Sequence, residues 1–150
     1  MSVNERIAED MKTAMRAKDT VTLSVVRGLK SAIMYAAIDK AGASGELDDA
    51  ECVAVVRKEI KKRQDSVSSY QTAKRDDLAN AELAEIVVLE KYLPAGLSAA
   101  EIATMVDAVM AETGATTKKD MGRVMKLLGE RAAGRVDGAT LSKEVGKRLV

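Results

Sequence analysis

A chain of 150 residues with 47% hydrophobic and 31% charged side chains has the composition of a folded globular protein, which excludes the disordered class. Its net charge of +1 excludes a bulk polycation that coats nucleic acid, although a local basic patch is compatible with it. Phenylalanine and tryptophan are absent and there is one proline, so small and flexible apolar side chains must fill the core, which favours closely packed helices.

Capping and spacing predict two helices at the start of the chain. Ser2 and Glu5 stand at the spacing of a capping box, in which each side chain accepts a hydrogen bond from the other residue's backbone N–H. The residues expected on the inner face of this helix are Ile7, Met11, Ala14 and Met15. A second helix is predicted after the turn at 18–20, and it ends in the glycine-containing segment 41–45, which we expect to be a loop.

Two further helices are predicted before residue 94, and the first of them has a strongly basic outer face. It begins near residues 48–49, where two carboxylates suit the positive end of a helix dipole. Its cations are Arg57, Lys58, Lys61, Lys62 and Arg63. One interpretation is a solvated face in which Glu59 pairs with Arg63 one turn later, and the other is a surface that contacts phosphates. The fourth helix is expected from about Asp76 to Tyr92.

Pro94 and Gly96 mark the clearest boundary of the chain, because proline and glycine both interrupt a helix. The sequence therefore predicts an N-terminal helical domain of residues 1–96 and a C-terminal domain of residues 97–150. No sustained strand alternation is present. The predicted fold class is all-α, with an N-terminal bundle of about four helices and a C-terminal domain of three helices.

The C-terminal domain is divided by residues that typically start and end helices. Its first helix begins with a second capping-box pattern at Ser98 and ends at Gly114. Thr117 is the expected N-cap of the second helix. The last helix is short and opens at either Asp137 or Thr140.

Glycines in this domain occupy positions that a simple helical bundle does not require. Gly122 and Gly129 lie seven residues apart and therefore share one helix face, although each costs about 1 kcal/mol relative to alanine. They permit either close contact with a neighbouring helix or the approach of an RNA sugar-phosphate backbone flanked by basic side chains. The segment Gly134–Gly138 is either a turn with a helix cap or a place where Arg135 meets a phosphate.

The chain lacks the usual groups for metal binding and nucleophilic catalysis. It contains no histidine and one cysteine, so it offers neither the common zinc ligands nor an imidazole base. Cys52 lies on an apolar stripe and is expected to be a buried, inert thiol. The acid pairs 48–49 and 76–77 are interpreted as helix N-terminal charge rather than as magnesium ligands. No catalytic residue, metal or cofactor is therefore predicted.

A cytoplasmic location without membrane contact is expected. One cysteine cannot form an internal disulfide, and no secretory signal pattern opens the chain. No uninterrupted apolar run reaches the roughly 18 residues that a membrane-spanning helix needs. The near-neutral net charge also gives no reason to expect DNA as a partner.

Six segments form a recognisable set within this pattern. They are Leu23–Lys30, Lys62–Ser66, Ala73–Ala79, Leu89–Pro94, Asp120–Met125 and Gly134–Gly138. With these segments the chain resembles the YqeY family of the GatB/YqeY superfamily over essentially its whole length. The resemblance implies an all-α protein with a larger N-terminal and a three-helix C-terminal domain. A similar domain forms the tail of the GatB subunit of the tRNA-dependent amidotransferase, where it helps to hold the tRNA body.

From the resemblance we expect a tRNA-binding or tRNA-enzyme accessory protein, and the residues themselves show no evident catalysis of its own. The expected RNA contacts in the C-terminal domain are Lys118, Lys119, Arg123, Lys126 and Arg135, and the residues expected to shape this surface are Gly122, Asp137 and Gly138. The basic residues Arg57, Lys61, Lys62 and Arg63 are expected to extend the surface. Such contacts depend on salt and not on base sequence.

Two alternative functions remain open. One is a protein–protein adaptor that binds an amidotransferase or an aminoacyl-tRNA synthetase and never touches RNA. The other is carbon–nitrogen ligase activity with glutamine as the amide donor. Only the resemblance implies this activity. The residues do not support it, because a chain without histidine or an activated nucleophile is a poor glutaminase.

Overall fold

The computed structural model describes residues 1–42 and 45–150, which form seven α-helices and one 3-10 turn and include no strand. The helices are α1 (Val3–Ala17), α2 (Thr20–Ala41), α3 (Asp49–Thr72), α4 (Asp76–Glu90), α5 (Ala99–Thr113), α6 (Met121–Ala132) and α7 (Gly138–Gly146), with the 3-10 turn at Lys118–Asp120. The all-α prediction is confirmed. Two residues of the predicted loop at 41–45, Ala43 and Ser44, lie outside the described residues.

The chain divides into two compact units, each with its own apolar core. The N-terminal unit, Met1–Leu93, contains α1 to α4, and the C-terminal unit, Pro94–Val150, contains α5 to α7. The boundary predicted from the sequence, at residues 96–97, lies three residues after this division. The candidate site described below belongs to the C-terminal unit.

Side-chain caps explain where most of the helices begin. Ser2 and Glu5 form the predicted capping box, with hydrogen bonds of 3.1 and 3.0 Å. Asp19 and Asp48 cap α2 and α3 by accepting from the backbone N–H three residues further on. Ser98 caps α5 in the same way at 3.1 Å. Because each cap joins residues three apart, the sequence alone is sufficient to locate it.

The core of the N-terminal unit contains one buried aromatic ring, that of Tyr92, among aliphatic side chains, with Tyr70 partly buried against it. Its fully buried members include Val26, Leu29, Cys52, Val56 and Leu89. The buried Tyr92 donates its hydroxyl to Asp10 Oδ2 at 2.5 Å, and the Arg6 guanidinium lies 5.1 Å from the ring centroid. Burial and the neighbouring Asp10 carboxylate raise the pKa of Tyr92. These contacts hold the residues that follow α4 against α1.

Of the four side chains predicted on the inner face of α1, Ile7 and Ala14 are buried and Met11 is half-buried. Met15 is 55% exposed, so its placement on that face was wrong. Met15 points about 100° around the helix from Ala14, beyond the edge of the face that α1 buries.

α2 is the one described helix that is long and apolar enough to cross a membrane, with a mean hydropathy of 1.3. Its apolar stretch includes Arg27 and Lys30, whose charges are costly at the centre of a bilayer. The helix buries Val25, Val26, Leu29, Ile33 and Ala37 in the N-terminal unit. A core helix meets the same criteria of length and composition, so the lack of membrane contact stays a prediction.

The Tyr92 hydroxyl is expected to stabilise the N-terminal unit. Tyr92→Phe leaves a half-buried carboxylate without its donor and should lower the free energy of unfolding by about 1–2 kcal/mol in urea denaturation. Tyr35→Phe is the matched control, because Tyr35 is 66% exposed and should change stability by less than about 0.5 kcal/mol. Equal stability of the two variants would show that the Asp10 bond contributes nothing.

Candidate nucleic-acid interface

A brace of hydrogen bonds shapes the turn that carries the first predicted RNA contacts. Gly114 ends α5 in the left-handed conformation, with φ of +65°. Asp120 accepts from the Thr116 N–H at 3.3 Å and from Arg123 Nη2 at 3.2 Å. Arg123 Nη2 also donates to the Thr113 carbonyl at 3.1 Å, which satisfies a carbonyl in the last turn of α5. The brace therefore sets the path of the 3-10 turn between α5 and α6.

Arg123 consequently has a structural role that the sequence analysis did not anticipate. Its side chain is 59% exposed, yet its donors are engaged by Asp120 and Thr113. A substitution here disturbs the turn as well as any bound phosphate. Arg123 is therefore a poor residue with which to test RNA binding.

Ion pairing separates the cations of the C-terminal unit into two groups. Five of the nine basic residues in 94–150 form ion pairs, and they are Arg123, Arg131, Arg135, Lys147 and Arg148. The other four, all exposed, form no ion pair within the part of the chain that the structure describes, and they are Lys118, Lys119, Lys126 and Lys143. Three of these four lysines fall within residues 118–126. Unpaired positive charge is thus concentrated at the turn and the first half of α6.

Lys143 is a residue that the sequence analysis missed. It lies on α7, whereas the paired Lys147 is the residue just after the end of that helix. Spacing distinguishes the two lysines, because Glu144 stands three residues before Lys147, whereas Lys143 has no acidic residue three or four positions away.

The two glycines of α6 face open space. A Cβ built on Gly122 or on Gly129 meets no other atom within 4 Å, and both residues are exposed. The interpretation that these glycines allow close contact with a neighbouring helix of the unit is therefore wrong. An open face beside Lys126, which lies on α6 between them, is what the structure presents.

Arg135 lies at the other end of α5 from this turn. Its Nε donates to the Ala95 carbonyl at 3.0 Å, and its Nη2 lies 3.9 Å from Glu101 Oε2. Arg123 contacts Thr113, twelve residues along α5 from Glu101, which corresponds to about 18 Å of helix. A surface that includes both arginines would have to extend over this distance, and it stays a prediction.

The segment Gly134–Gly138 is a turn followed by a helix cap. Ala133 and Gly134 have φ of +48° and +79°, which ends α6. Asp137 caps α7 by accepting from the Thr140 N–H at 3.4 Å, and Gly138 is the first residue of that helix. Of the two interpretations left open for this segment, the turn and cap is the one the structure shows.

The basic run of α3 is largely paired within the N-terminal unit. Lys61 bonds Asp65 at 2.9 Å, and Lys62 bonds Glu59 at 3.1 Å. Arg63 lies between Glu59 at 3.1 Å and Glu85 of α4 at 3.3 Å, and its side chain is 18% exposed. Arg57 is half-buried, and it also has an interaction partner within the protein. The pairing of Glu59 with Arg63 is confirmed, which favours the solvated face over a phosphate surface.

The described residues offer little for catalysis or metal binding. Cys52 is fully buried, and burial together with the nearby carboxylates of Asp49, Asp48 and Glu51 raises its pKa, so the thiol is protonated and inert. Asp49 accepts from the Val3 N–H at 3.1 Å, and Asp77 pairs with Arg75 at 3.1 Å. Across residues 1–42 and 45–150, no group of three histidine, cysteine or acidic residues is placed to hold a metal ion.

Comparison with known proteins identifies relatives over the whole chain. A sequence model of the family described as Yqey-like protein matches residues 4–149. A protein of Pyrenophora tritici-repentis named "Altered inheritance of mitochondria protein 41, mitochondrial" is 28% identical over 144 residues, covering 96% of this chain and 72% of its own length.

Yeast proteins of the same name match a shorter stretch. The Kluyveromyces lactis protein is 36% identical over 86 residues, covering 57% of this chain and 45% of its own length. The Clavispora lusitaniae protein is 38% identical over 84 residues, covering 56% and 47%. Each yeast alignment therefore spans about half the length of the curated relative.

These relatives overturn the predicted location. They are named as mitochondrial proteins, so the expectation of a cytoplasmic protein was wrong. The sequence argument rested on a single cysteine and the lack of a secretory signal, which exclude only disulfide-forming compartments. They do not distinguish one reducing compartment from another.

The Arg63 network should contribute to stability, whereas the neighbouring surface pair should not. Arg63→Ala leaves Glu85 without its partner and Glu59 with Lys62 alone, and should lower the free energy of unfolding by about 1–2 kcal/mol. Lys61→Ala is the control and should lower it by less than about 0.5 kcal/mol in urea denaturation. A loss of stability in Lys61→Ala as large as that in Arg63→Ala would contradict the distinction between the two ion pairs.

The effect of Arg63→Ala should also depend on pH. Burial opposes ionisation of Glu59, but hydrogen bonds from Lys62 and Arg63 outweigh it and lower its pKa. A lowered folded-state pKa contributes stability above the ordinary carboxyl pKa and loses it as the pH falls. The difference between wild type and Arg63→Ala should therefore shrink below about pH 4.

If helix packing does not require glycine at position 129, an alanine there should make the protein more stable. Gly129→Ala should raise the free energy of unfolding by about 0.5–1 kcal/mol, because it removes backbone freedom from the unfolded chain. Gly114→Ala is the matched control, since its φ of +65° is strained for alanine and should lower stability. A loss of stability in Gly129→Ala would restore the packing explanation.

Proposed function

The chain belongs to the family of Yqey-like proteins, and we propose that it is a tRNA-binding accessory protein whose C-terminal unit contacts the RNA backbone. The observation that carries this proposal is the group of exposed lysines Lys118, Lys119 and Lys126, which have no ion-pair partner among the described residues. We name this group the lysine edge.

Open space beside the lysine edge supports contact with a backbone. Gly122 stands between Lys119 and Lys126, and an added Cβ there would meet nothing within 4 Å. A helix face without a side chain allows a sugar-phosphate backbone to come closer to the helix. The lysines then supply charge at phosphate distance, where they displace condensed counterions.

The chemistry of the edge favours recognition of the backbone over that of bases. The three tyrosines of the chain all lie in the N-terminal unit, so the C-terminal unit has no aromatic ring on which a base could stack. Lysine binds phosphate as a point charge and reads little geometry. Binding that is weak, sensitive to salt and indifferent to base sequence follows from such a set of contacts.

An amide-transfer enzyme has less support from the described residues. The chain has no histidine, and its one thiol is buried with a raised pKa. The adaptor hypothesis has a specific observation in its favour, an exposed apolar face on α2, which is taken up below. RNA binding and protein binding involve different units and therefore do not exclude each other.

The proposal is tested by titrating the full chain with tRNA, using total tRNA and mitochondrial tRNA, since the named relatives are mitochondrial. The variant Lys118→Gln/Lys119→Gln/Lys126→Gln should weaken binding at least tenfold at low salt. It should also reduce the slope of log K against log salt by about 2–3. Filter binding at several salt concentrations measures both quantities.

The control removes the same charge from the other unit. Lys58→Gln/Lys61→Gln/Lys62→Gln lowers the net charge equally, but it should leave the affinity within about twofold because these lysines lie outside the edge. Equal losses in both triple variants would mean that only bulk charge matters. No binding by the wild-type chain at low salt would remove the RNA proposal altogether.

A further inference from the structure

α2 exposes far more apolar surface than a core helix should. Only 28% of its apolar stretch is buried, and four large side chains face solvent, Val21 at 51%, Met34 at 52%, Tyr35 at 66% and Ile38 at 44%. A helix that is apolar on most sides is normally covered by another surface. The described residues of this chain leave these side chains uncovered.

A groove between α2 and α3 adjoins this apolar face. It has a volume of about 400 Å³, and the residues of α2 that line it include Gly28, Ser31, Ala32 and Ala36. Lys58 and Lys62 of α3 line the other wall. A Cβ added to Gly28 would meet nothing within 4 Å, so the glycine does not serve packing within the unit. A concave floor of small residues beside large apolar side chains suits the ridge of another helix.

The unpaired charges around the groove and the adjoining apolar face of α2 are mainly positive. Lys58 lines it, and Arg27 and Lys30 lie one turn before Ser31 and Met34 on α2. All three cations are exposed and form no ion pair within residues 1–42 and 45–150. Asp39 is the one unpaired acid among the described residues that line the groove. The border is therefore complementary to an anionic partner.

We propose that this groove and the adjoining face of α2 bind an acidic amphipathic helix of a partner protein. Apolar residues of that helix at i, i+3 or i+4, and i+7 would cover Tyr35 and Ile38 and enter the groove. Acidic side chains beside them would pair with Arg27, Lys30 and Lys58. The proposal goes beyond RNA binding, because every residue in it belongs to the N-terminal unit.

Other occupants match these observations less well. A second copy of the chain would bring the same unpaired cations against each other, which costs energy. A lipid surface is flat on this scale and does not fill a concave groove. An RNA backbone would pair with the cations but would leave the apolar side chains uncovered.

The test selects helical peptides against the full chain without assuming a sequence. The probe is a displayed library of about 20-residue amphipathic helices in which the positions flanking the apolar stripe are either Glu or Lys with equal frequency. Selected peptides should carry Glu at these flanks, and their dissociation constants follow from fluorescence anisotropy. Enrichment of Lys, or no enrichment, overturns the proposal.

Matched variants show whether the selected peptides use this groove. Tyr35→Ala/Ile38→Ala and Lys58→Glu should each weaken binding at least tenfold. The controls Leu83→Ala/Val87→Ala, which remove two exposed apolar side chains from α4, and Lys61→Glu, which changes a lysine outside the groove, should leave it within about twofold. Every changed side chain is exposed, so each variant should fold, and circular dichroism checks that it does.

Two further measurements separate the other occupants. Light scattering of the free chain should give the mass of a monomer, and a dimer that Tyr35→Ala/Ile38→Ala dissociates would assign the face to a second copy. Vesicles containing anionic lipid should not retain the chain, and retention lost in the same variant would assign the face to a membrane. Either result overturns the partner helix.

Discussion

Ion pairs within and between helices determine which charges of this protein remain available to a partner. Arg63 joins α3 to α4 through Glu85, Arg131 joins α6 to α5 through Glu112, and Arg148 reaches Asp107 of α5 at 2.6 Å. Helices whose cores contain mostly Val, Ile, Leu and Ala gain orientation from such contacts at their edges. With 24 basic and 23 acidic residues, nearly all charge could cancel in this way. Among the cations without an ion pair in the described residues, Lys118, Lys119 and Lys126 form the lysine edge of one unit, and Arg27, Lys30 and Lys58 lie around the α2–α3 groove and the adjoining apolar face of the other, while others such as Lys74 and Lys143 lie outside both.

Features that depend on neighbours in sequence were predictable, and features that depend on the fold were not. The caps at Ser2, Asp48 and Ser98 each act over three residues, and the pattern alone locates them. The open environment of Gly129 and the contact of Arg135 with Ala95, 40 residues away, depend on how the helices pack. A sequence shows that glycines share a face, but it does not show whether another helix covers that face.

The candidate site illustrates the same division. Lys118, Lys119 and Lys126 are exposed and form no ion pair within the described residues, whereas Lys61 and Arg63, which the sequence also predicted as RNA contacts, are paired with acids. Spacing identifies Glu59 as a partner of Arg63, whereas Glu85 comes from another helix and is visible only in the structure. Arg123 shows a further limit, because a basic residue on an exposed face can serve as a brace rather than as a ligand contact. The prediction of a cytoplasmic location was wrong for a different reason, because amino-acid composition does not show in which cellular compartment a protein resides.

The central claim is that RNA contacts the C-terminal unit at the lysine edge, and backbone amide spectra of the isotope-labelled chain test it most directly. On titration with tRNA, the account predicts that the signals of residues 118–129 shift together, while those of the paired run in α3 stay in place. Shifts confined to α3, or spread evenly over every exposed lysine, would contradict it. In those cases the pairing of charges seen in the structure would not be what decides where the protein binds.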